Sequence, residues 1–424
     1  MRRIPIRMKL AGALTVPLFA LVVVTVLEVV KSSQDADRAR QQAALAEASI
    51  GPTSLLSMLE NERNAAAVYL LGAEDDFALP VEDNAEARRT VDEALAVLRN
   101  EVESRGGEVE AAYRPAIEAM AALDDLRRQV DSAPEESRNL QNIDVVSGIF
   151  DGYTELMAAF FDANKRVSLA VDDPELRRGA ELVDLSARQT DLIAILVKHL
   201  LLAQVGGSNP DGLNTPQELA EVASHLGQLR MNEQLIVTKG TGRYREHVEA
   251  LFAAEEIQRF PQVVDEAIAT GTVDLVGVMT YSAGEDPDTF GYTVFRRNVS
   301  DTLTEHADEL VDAAVARQRW FIALAALSVL MATTVTWLVS RSITRPLRAL
   351  TRQAKDMAER RLPEAVMEIL QTPLGEDVVV PEVEPIAVTT RDEVADVSAA
   401  LNTVQDTALD LAVEQAVLRR NIAD

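Results

Sequence analysis

Arg63 and Arg188 occupy positions that helical periodicity assigns to apolar side chains. Leu56, Leu59, Arg63, Ala66 and Leu70 alternate spacings of three and four, the repeat of a seam along one helix face. Leu185, Arg188, Leu192, Ile195, His199 and Leu202 repeat the pattern further along. A buried guanidinium without a partner is strongly unfavourable, so each arginine needs a negative group beside it. Its planar fork of donors suits a planar oxyanion gripped through two oxygens. Two such arginines converging would build a small anion pocket in a helical core. Arg230, next to the seam position Leu229, is a third candidate, with Lys198 behind it. The same residues admit a second reading, in which Glu60, Glu62 or another acid on a neighbouring helix neutralises each arginine internally. Spacing leaves both readings open.

Other chemistry is sparse. The chain has no cysteine, which excludes disulfides, thiol catalysis and thiolate metal sites. Its four histidines, His199, His225, His247 and His306, show neither an i,i+4 pair nor an H-E-x-x-H pattern, so no metal and no cofactor are expected. Acidic runs such as Glu74-Asp75-Asp76 read as solvated loops. With 41 basic against 68 acidic residues the net charge is −27, which disfavours nucleic acid as a partner.

The elements that must hold these residues are helices. Only 10 Phe, 6 Tyr and 2 Trp occur in 424 residues, and Ala, Leu and Glu abound, a composition suited to bundles rather than sandwiches. Two runs are free of charge: Leu10–Leu27 and Trp320–Val339. At 1.5 Å per residue each is about long enough to cross a hydrocarbon layer of roughly 30 Å. Arg2, Arg3, Arg7 and Lys9 precede the first run, and Arg341, Arg345, Arg348, Arg352 and Lys355 follow the second. The bias of basic residues toward the cytoplasm therefore places both termini inside and the intervening region outside a cell membrane. The segments expected are a cytoplasmic start (1–9), a first span (10–30), an extracytoplasmic domain (31–318), a second span (319–340), a relay (341–415) and the opening of a further helix (416–424). Residues 31–319 carry 27 basic and 52 acidic residues, so nearly all of the acidity falls in the outer domain.

Breakers divide that domain into helices near 31–71, 82–104, 108–131, 138–170, 174–204, 216–238, 243–254 and 257–270, and a last helix runs from about Asp288 into the second span. No strand alternation competes. The predicted fold is all-α, a two-pass membrane protein whose outer domain is a bundle of two four-helix units.

Residues 52–71, PTSLLSMLENERNAAAVYLL, resemble the first helix of the nitrate- and nitrite-sensing (NIT) domain of bacterial sensors. LVDLSARQTDLIAIL around Arg188 and HLGQLRMNEQLIVTK around Arg230 are similar to two of its later helices. The resemblance implies two four-helix bundles with a small anion, nitrate or nitrite, held by arginines, here Arg63, Arg188 and, by a weaker match, Arg230. Members of the family can carry adjacent arginines in the first helix, whereas Arg63 is followed by Asn64. After the second span, Arg345-Pro346-Leu347 on one amphipathic helix and Arg391-Asp392-Glu393-Val394 opening another resemble a HAMP domain, with an unusually long connector. That resemblance implies a parallel coiled coil in a homodimer. Sensor histidine kinases continue from such a helix, but no histidine follows the second span to accept phosphate and no Gly-rich nucleotide loop is present. The expectation is the sensory and transmitting part of a two-component kinase, lending its signal to a kinase domain or response regulator. The alternatives are a membrane-anchored protein that docks a partner, or a truncated chemoreceptor, neither with a small-molecule ligand.

Overall fold

The computed structural model describes residues 6–71, 84–134, 143–206, 213, 215–283, 290–339, 341, 345–371, 381–387 and 393–423. It is 92% helical, with no strand among the described residues. Two compact units divide it: Ser32–Arg317, and a second made of Met1–Lys31 with Gln318–Asp424.

The first unit is built by the end of α1 (Ile6–Ala48), then α2 (Gly51–Leu71), α3 (Asn84–Arg105), α4 (Gly107–Ala119), α5 (Leu123–Asp131), α6 (Ile143–Ala170), α7 (Pro174–Gly206), α8 (Pro216–Lys239), α9 (Arg245–Ala253), α10 (Glu255–Thr270), α11 (Leu275–Ala283) and the start of α12 (Gly291–Val339). Two apolar cores lie side by side in it. In one, Leu55, Leu59 and Leu70 of α2 pack with Val91, Tyr113, Tyr153 and Phe160. In the other, Leu196 and Leu200 of α7 pack with Leu226, Leu229, Phe260, Val278 and Phe295. Residues of α7 and α12 enter both cores, so these two helices seam the halves together.

Local chemistry sets the boundaries. Asp173 Oδ1 accepts from the backbone N–H groups of Glu175 and Leu176 at 2.9 Å each, starting α7, with Pro174 at its first position. Thr215 and Glu218 form a capping box that starts α8. Gly271, at φ 71°, ends α10 in the left-handed conformation that a side chain would disfavour.

Three expectations from sequence need revision. The helix expected to run unbroken to Leu71 turns at Ser49-Ile50, because Pro52 cannot donate to a continuing ladder and restricts the residue before it. The 108–131 helix is interrupted by a 3₁₀ turn at Met120–Ala122. The nine-residue α11 was not anticipated; Asp274 Oδ1 accepts from Gly277 N–H at 3.1 Å and so caps its first turn. The loops at 72–83 and 207–212 lie outside the described residues.

In the second unit the apolar stretch of α12 exposes Trp320, Leu324, Leu327 and Leu330. Its hydroxyls satisfy themselves: Ser328, Thr333, Thr334 and Thr336 each donate to the carbonyl four residues back at 2.8 Å. Polar atoms handled in this way can face hydrocarbon. Next come α13 (Arg345–Asp356), a π-helical turn at Met357–Arg361, α14 (Leu362–Gln371) and α15 (Glu393–Ala423). The first relay helix thus continues past Pro363. A proline at that position has no N–H for the carbonyl four residues back, and the wider π turn immediately before it relieves the clash. Residues 381–387 are non-helical, as expected, and are pinned along α15. Asn402 Oδ1 accepts from Ile386 N–H at 2.8 Å while its Nδ2 donates to Ile386 O at 3.1 Å. Ser398 donates to the same carbonyl at 2.7 Å.

Candidate anion site

Arg63 lies among the largest fully buried side chains, with 0% of its surface exposed. Its Nη1 donates to Asp191 Oδ1 of α7 at 2.6 Å and to Thr154 Oγ1 of α6 at 2.9 Å. The guanidinium carbon sits 4.0 Å from the centre of the Phe150 ring, which therefore covers one face of the cation. Lys198 Nζ lies 5.2 Å from the same ring and donates to Asp151 at 2.7 Å. Nε and Nη2 of Arg63, the two nitrogens along the other edge of the fork, are buried and have no hydrogen-bond partner among the described residues. Buried donors are nearly always paired, and each one left open costs about 1–3 kcal/mol, more when charged.

A second buried arginine faces the same cluster. Arg296 of α12 is 6% exposed, and its Nη1 also lacks a partner among the described residues. Burial pulls its pKa below the usual arginine value, and the charge of Glu60 opposes that shift. Glu60 stands one helical turn before Arg63 on α2. Burial pushes its carboxyl above the ordinary carboxylate value, while Arg296 and Arg63 pull it back and Asp191 adds to the rise. Side chains of α2, α6, α7 and α12 meet here, where the two apolar cores adjoin.

Arg188 takes a separate place. Its Nε donates to Asp184 at 2.8 Å and its Nη2 to the carbonyl of Phe161 at 2.9 Å, with the Phe161 ring 4.8 Å away. Burial raises the Asp184 pKa, and Arg188 opposes the rise. The two seam arginines therefore share no partner: Arg63 is held by Asp191 and Arg188 by Asp184, two turns apart on α7. Arg230 is half-exposed and paired with Asp265 of α10. Sequence reasoning missed Arg296, although Tyr292, Arg296, Val299 and Leu303 carry the same three-and-four spacing that singled out Arg63.

Glu62 is fully buried but belongs to a closed network on α2's other flank. Both of its oxygens accept from Arg127, at 2.7 and 2.8 Å, and Tyr153 donates to it at 2.7 Å. This network has nothing left to offer a ligand.

An all-helical domain with a buried cationic cluster, followed by an apolar helix and a paired-helix relay, defines a sensor and transmitter. Residues 54–319 match the family described as "Nitrate and nitrite sensing", and 338–410 match the HAMP domain. The first match covers more than half of the chain, which therefore belongs to the NIT family and carries a HAMP domain. Together the two domains indicate a nitrate/nitrite-sensing transmembrane signalling module. The two long apolar helices are compatible with a membrane protein. No curated protein matches the chain in sequence. Among solved structures, that of the NasR transcription antiterminator aligns over 96% of this chain and 99% of its own, with a TM-score of 0.52 and 14% identity. At that identity the likeness is one of fold alone.

Proposed function

We propose that this protein binds a small planar oxyanion, nitrate or nitrite, in the α2–α6–α7–α12 cluster and relays its presence through HAMP to a kinase domain or response regulator. The observation that carries the reading is the open Nε/Nη2 edge of fully buried Arg63. That edge offers two parallel N–H bonds, the complement of two oxygens of a planar anion. Arg296 adds a second open donor. Arg188 and Arg230 stand outside this contact, each paired with its own acid, Asp184 and Asp265. Both termini lie in the cytoplasm, the 31–318 domain outside, and the protein works as a homodimer. Val397, Val404, Leu411 and Leu418 support the dimer: they stand exposed on α15 at intervals of seven, an unpartnered coiled-coil stripe.

Calorimetric titration of the full chain in detergent, with nitrate, nitrite and chloride, tests the ligand. Heat is expected for nitrate or nitrite and not chloride. Arg63→Ala should abolish it, and Arg63→Lys should weaken it severely because a lysine keeps the charge but loses the two-donor edge. Equal binding by wild type and Arg63→Ala would falsify the assignment.

One observation favours a second reading. Each of the three arginines expected from sequence has an acid beside it, Asp191, Asp184 or Asp265. On that reading the cluster is internal neutralisation, and the bundle docks a protein partner without a small ligand. Silence toward all anions, with capture of one specific extracytoplasmic protein by the full chain, would favour it.

A further inference from the structure

Resting on the anion site just proposed, the charge balance of the cluster points to its regulation. Three cations, Arg63, Arg296 and Lys198, meet three carboxylates, Glu60, Asp191 and Asp151. The set is formally neutral before any ligand arrives. A bound monoanion would leave one buried negative charge in excess, which a low-dielectric site resists by changing a protonation state.

One of the three carboxylates is disposed to take the proton. Asp191 is held by Arg63 at 2.6 Å, and Asp151 is mostly exposed and held by Lys198. Glu60 makes no ion pair within 4.0 Å among the described residues; its close contact is with a neutral hydroxyl, Thr190 Oγ1, at 3.1 Å. That hydroxyl also lies 2.9 Å from the carbonyl oxygen of Ala187. A hydroxyl has a single proton to give, and the carbonyl can only accept. Thr190 therefore divides that proton between the Ala187 carbonyl and Glu60 Oε1, to which it donates at 3.1 Å, and gives the carboxylate only a shared hydrogen bond. The groups facing Glu60 are Arg63 on its own helix, Thr190 and Asp191 on α7, and Arg296 on α12. The α6 face contributes Thr154 and Phe150 to Arg63, with Asp151–Lys198 beyond.

We infer that anion binding is coupled to protonation of Glu60, so that the sensor takes up one proton with each nitrate or nitrite and responds to acidity and anion together. Glu60 in its charged form competes with a ligand for the field of Arg63 and Arg296; once neutral, it leaves their unpaired donors to the ligand. Burial already favours the neutral form, and Arg296 and Arg63 restrain it. An anion that engages those arginines removes the restraint. By linkage, affinity then rises as pH falls, by at most about tenfold per pH unit for one coupled proton. Nitrate does not itself titrate near neutrality, so any such dependence belongs to the protein.

The test is calorimetric titration of the full chain with sodium nitrate, at several values between about pH 6 and about pH 8, in phosphate and in Tris. These buffers differ widely in ionisation enthalpy. Proton uptake predicts tighter binding at lower pH and a buffer-dependent heat equivalent to up to one proton per anion. Glu60→Gln, neutral at every pH, should bind with an affinity that no longer varies with pH and a heat that no longer depends on buffer. Binding with identical heats in both buffers and a flat pH profile would overturn the coupling and leave the anion site standing. No binding at any pH would overturn the site itself, and the coupling with it. The wild-type measurement decides the matter even if the variant does not fold.

Discussion

Arg63 and Arg127 are both largely buried guanidiniums, yet their surroundings ask different things of them. Arg127 closes a bidentate pair with Glu62, whose side chain is wholly buried, and adds Asp92 at 2.8 Å. Arg127→Ala would strand that carboxylate and should cost about 3–5 kcal/mol in chemical denaturation. Anion binding is not its role, so a loss larger than this would mean that the network also holds the fold in another way. Glu233 on α8 shows the opposite case. It lines a groove with Phe260, Tyr281 and Tyr292, and burial pushes its carboxyl up to about 7, with Arg230 opposing the shift. Its folded-state pKa lies above the ordinary value, so the folded chain holds the proton more tightly than the unfolded one. Stability should therefore fall as pH rises from about 4.5 to about 7 and then level off. Glu233→Gln is expected to raise the melting temperature by a few degrees near pH 8 and to leave it unchanged near pH 4. A rise of equal size at both would show that the effect is packing rather than charge. Periodicity was enough to find Arg63, since a charged residue in an apolar seam is a local anomaly. Its acid, Asp191, lies 128 residues away and only packing brings it near. Arg296 is less legible because Arg297 stands directly beside it, so charge no longer marks a single seam position.

Helix boundaries were legible wherever a breaker has a local mechanism. Asp173-Pro174, Thr215-Pro216 and Gly271 stop or start helices through capping and backbone conformation, and each acts within a few residues. The turn at Ser49-Ile50 was less legible, because Pro52 also fits the first turn of a helix and so can mark either a start or a kink. The short α11 carries too few turns for periodicity to register. Packing between helices is where sequence fell silent, and Gly179 shows why. A Cβ there would stand 2.3 Å from Tyr244 Oη and 2.8 Å from Leu303 Cδ1, so α7 approaches both side chains closer than alanine permits. Gly179→Ala should cost about 1–3 kcal/mol. Gly152→Ala meets only the Leu126 side chain, which can turn aside, and should cost less. Reversal of that order in urea denaturation would contradict the packing described.

The whole chain is an acidic sensing bundle joined to a relay. On the proposed reading, the bundle's net negative charge repels anions at long range, screening beyond about 8–10 Å confines that repulsion, and binding is left to the local arginines. Domain order was readable because apolar runs and amphipathic repeats are statements about solvent, which composition records directly. Homodimerisation is proposed from the exposed stripe on α15. Val404→Glu with Leu411→Glu places like charges along that stripe in both copies. The detergent-solubilised chain should then sediment as a monomer, while wild type sediments as a dimer. A dimer unchanged by the double substitution would put the interface elsewhere.

The unbroken run of α12 from Gly291 to Val339 has a consequence for how the chain can vary. Arg296 and Trp320 lie along this one helix, with no loop between them to absorb a change in length. Each residue inserted or removed in that interval turns everything downstream by about 100°. Seven added residues, close to two full turns, would nearly restore the phase, whereas one or two would aim the apolar stretch at different neighbours. If α12 carries the signal, a series of insertions there should change its output with a period of about 3.6 residues.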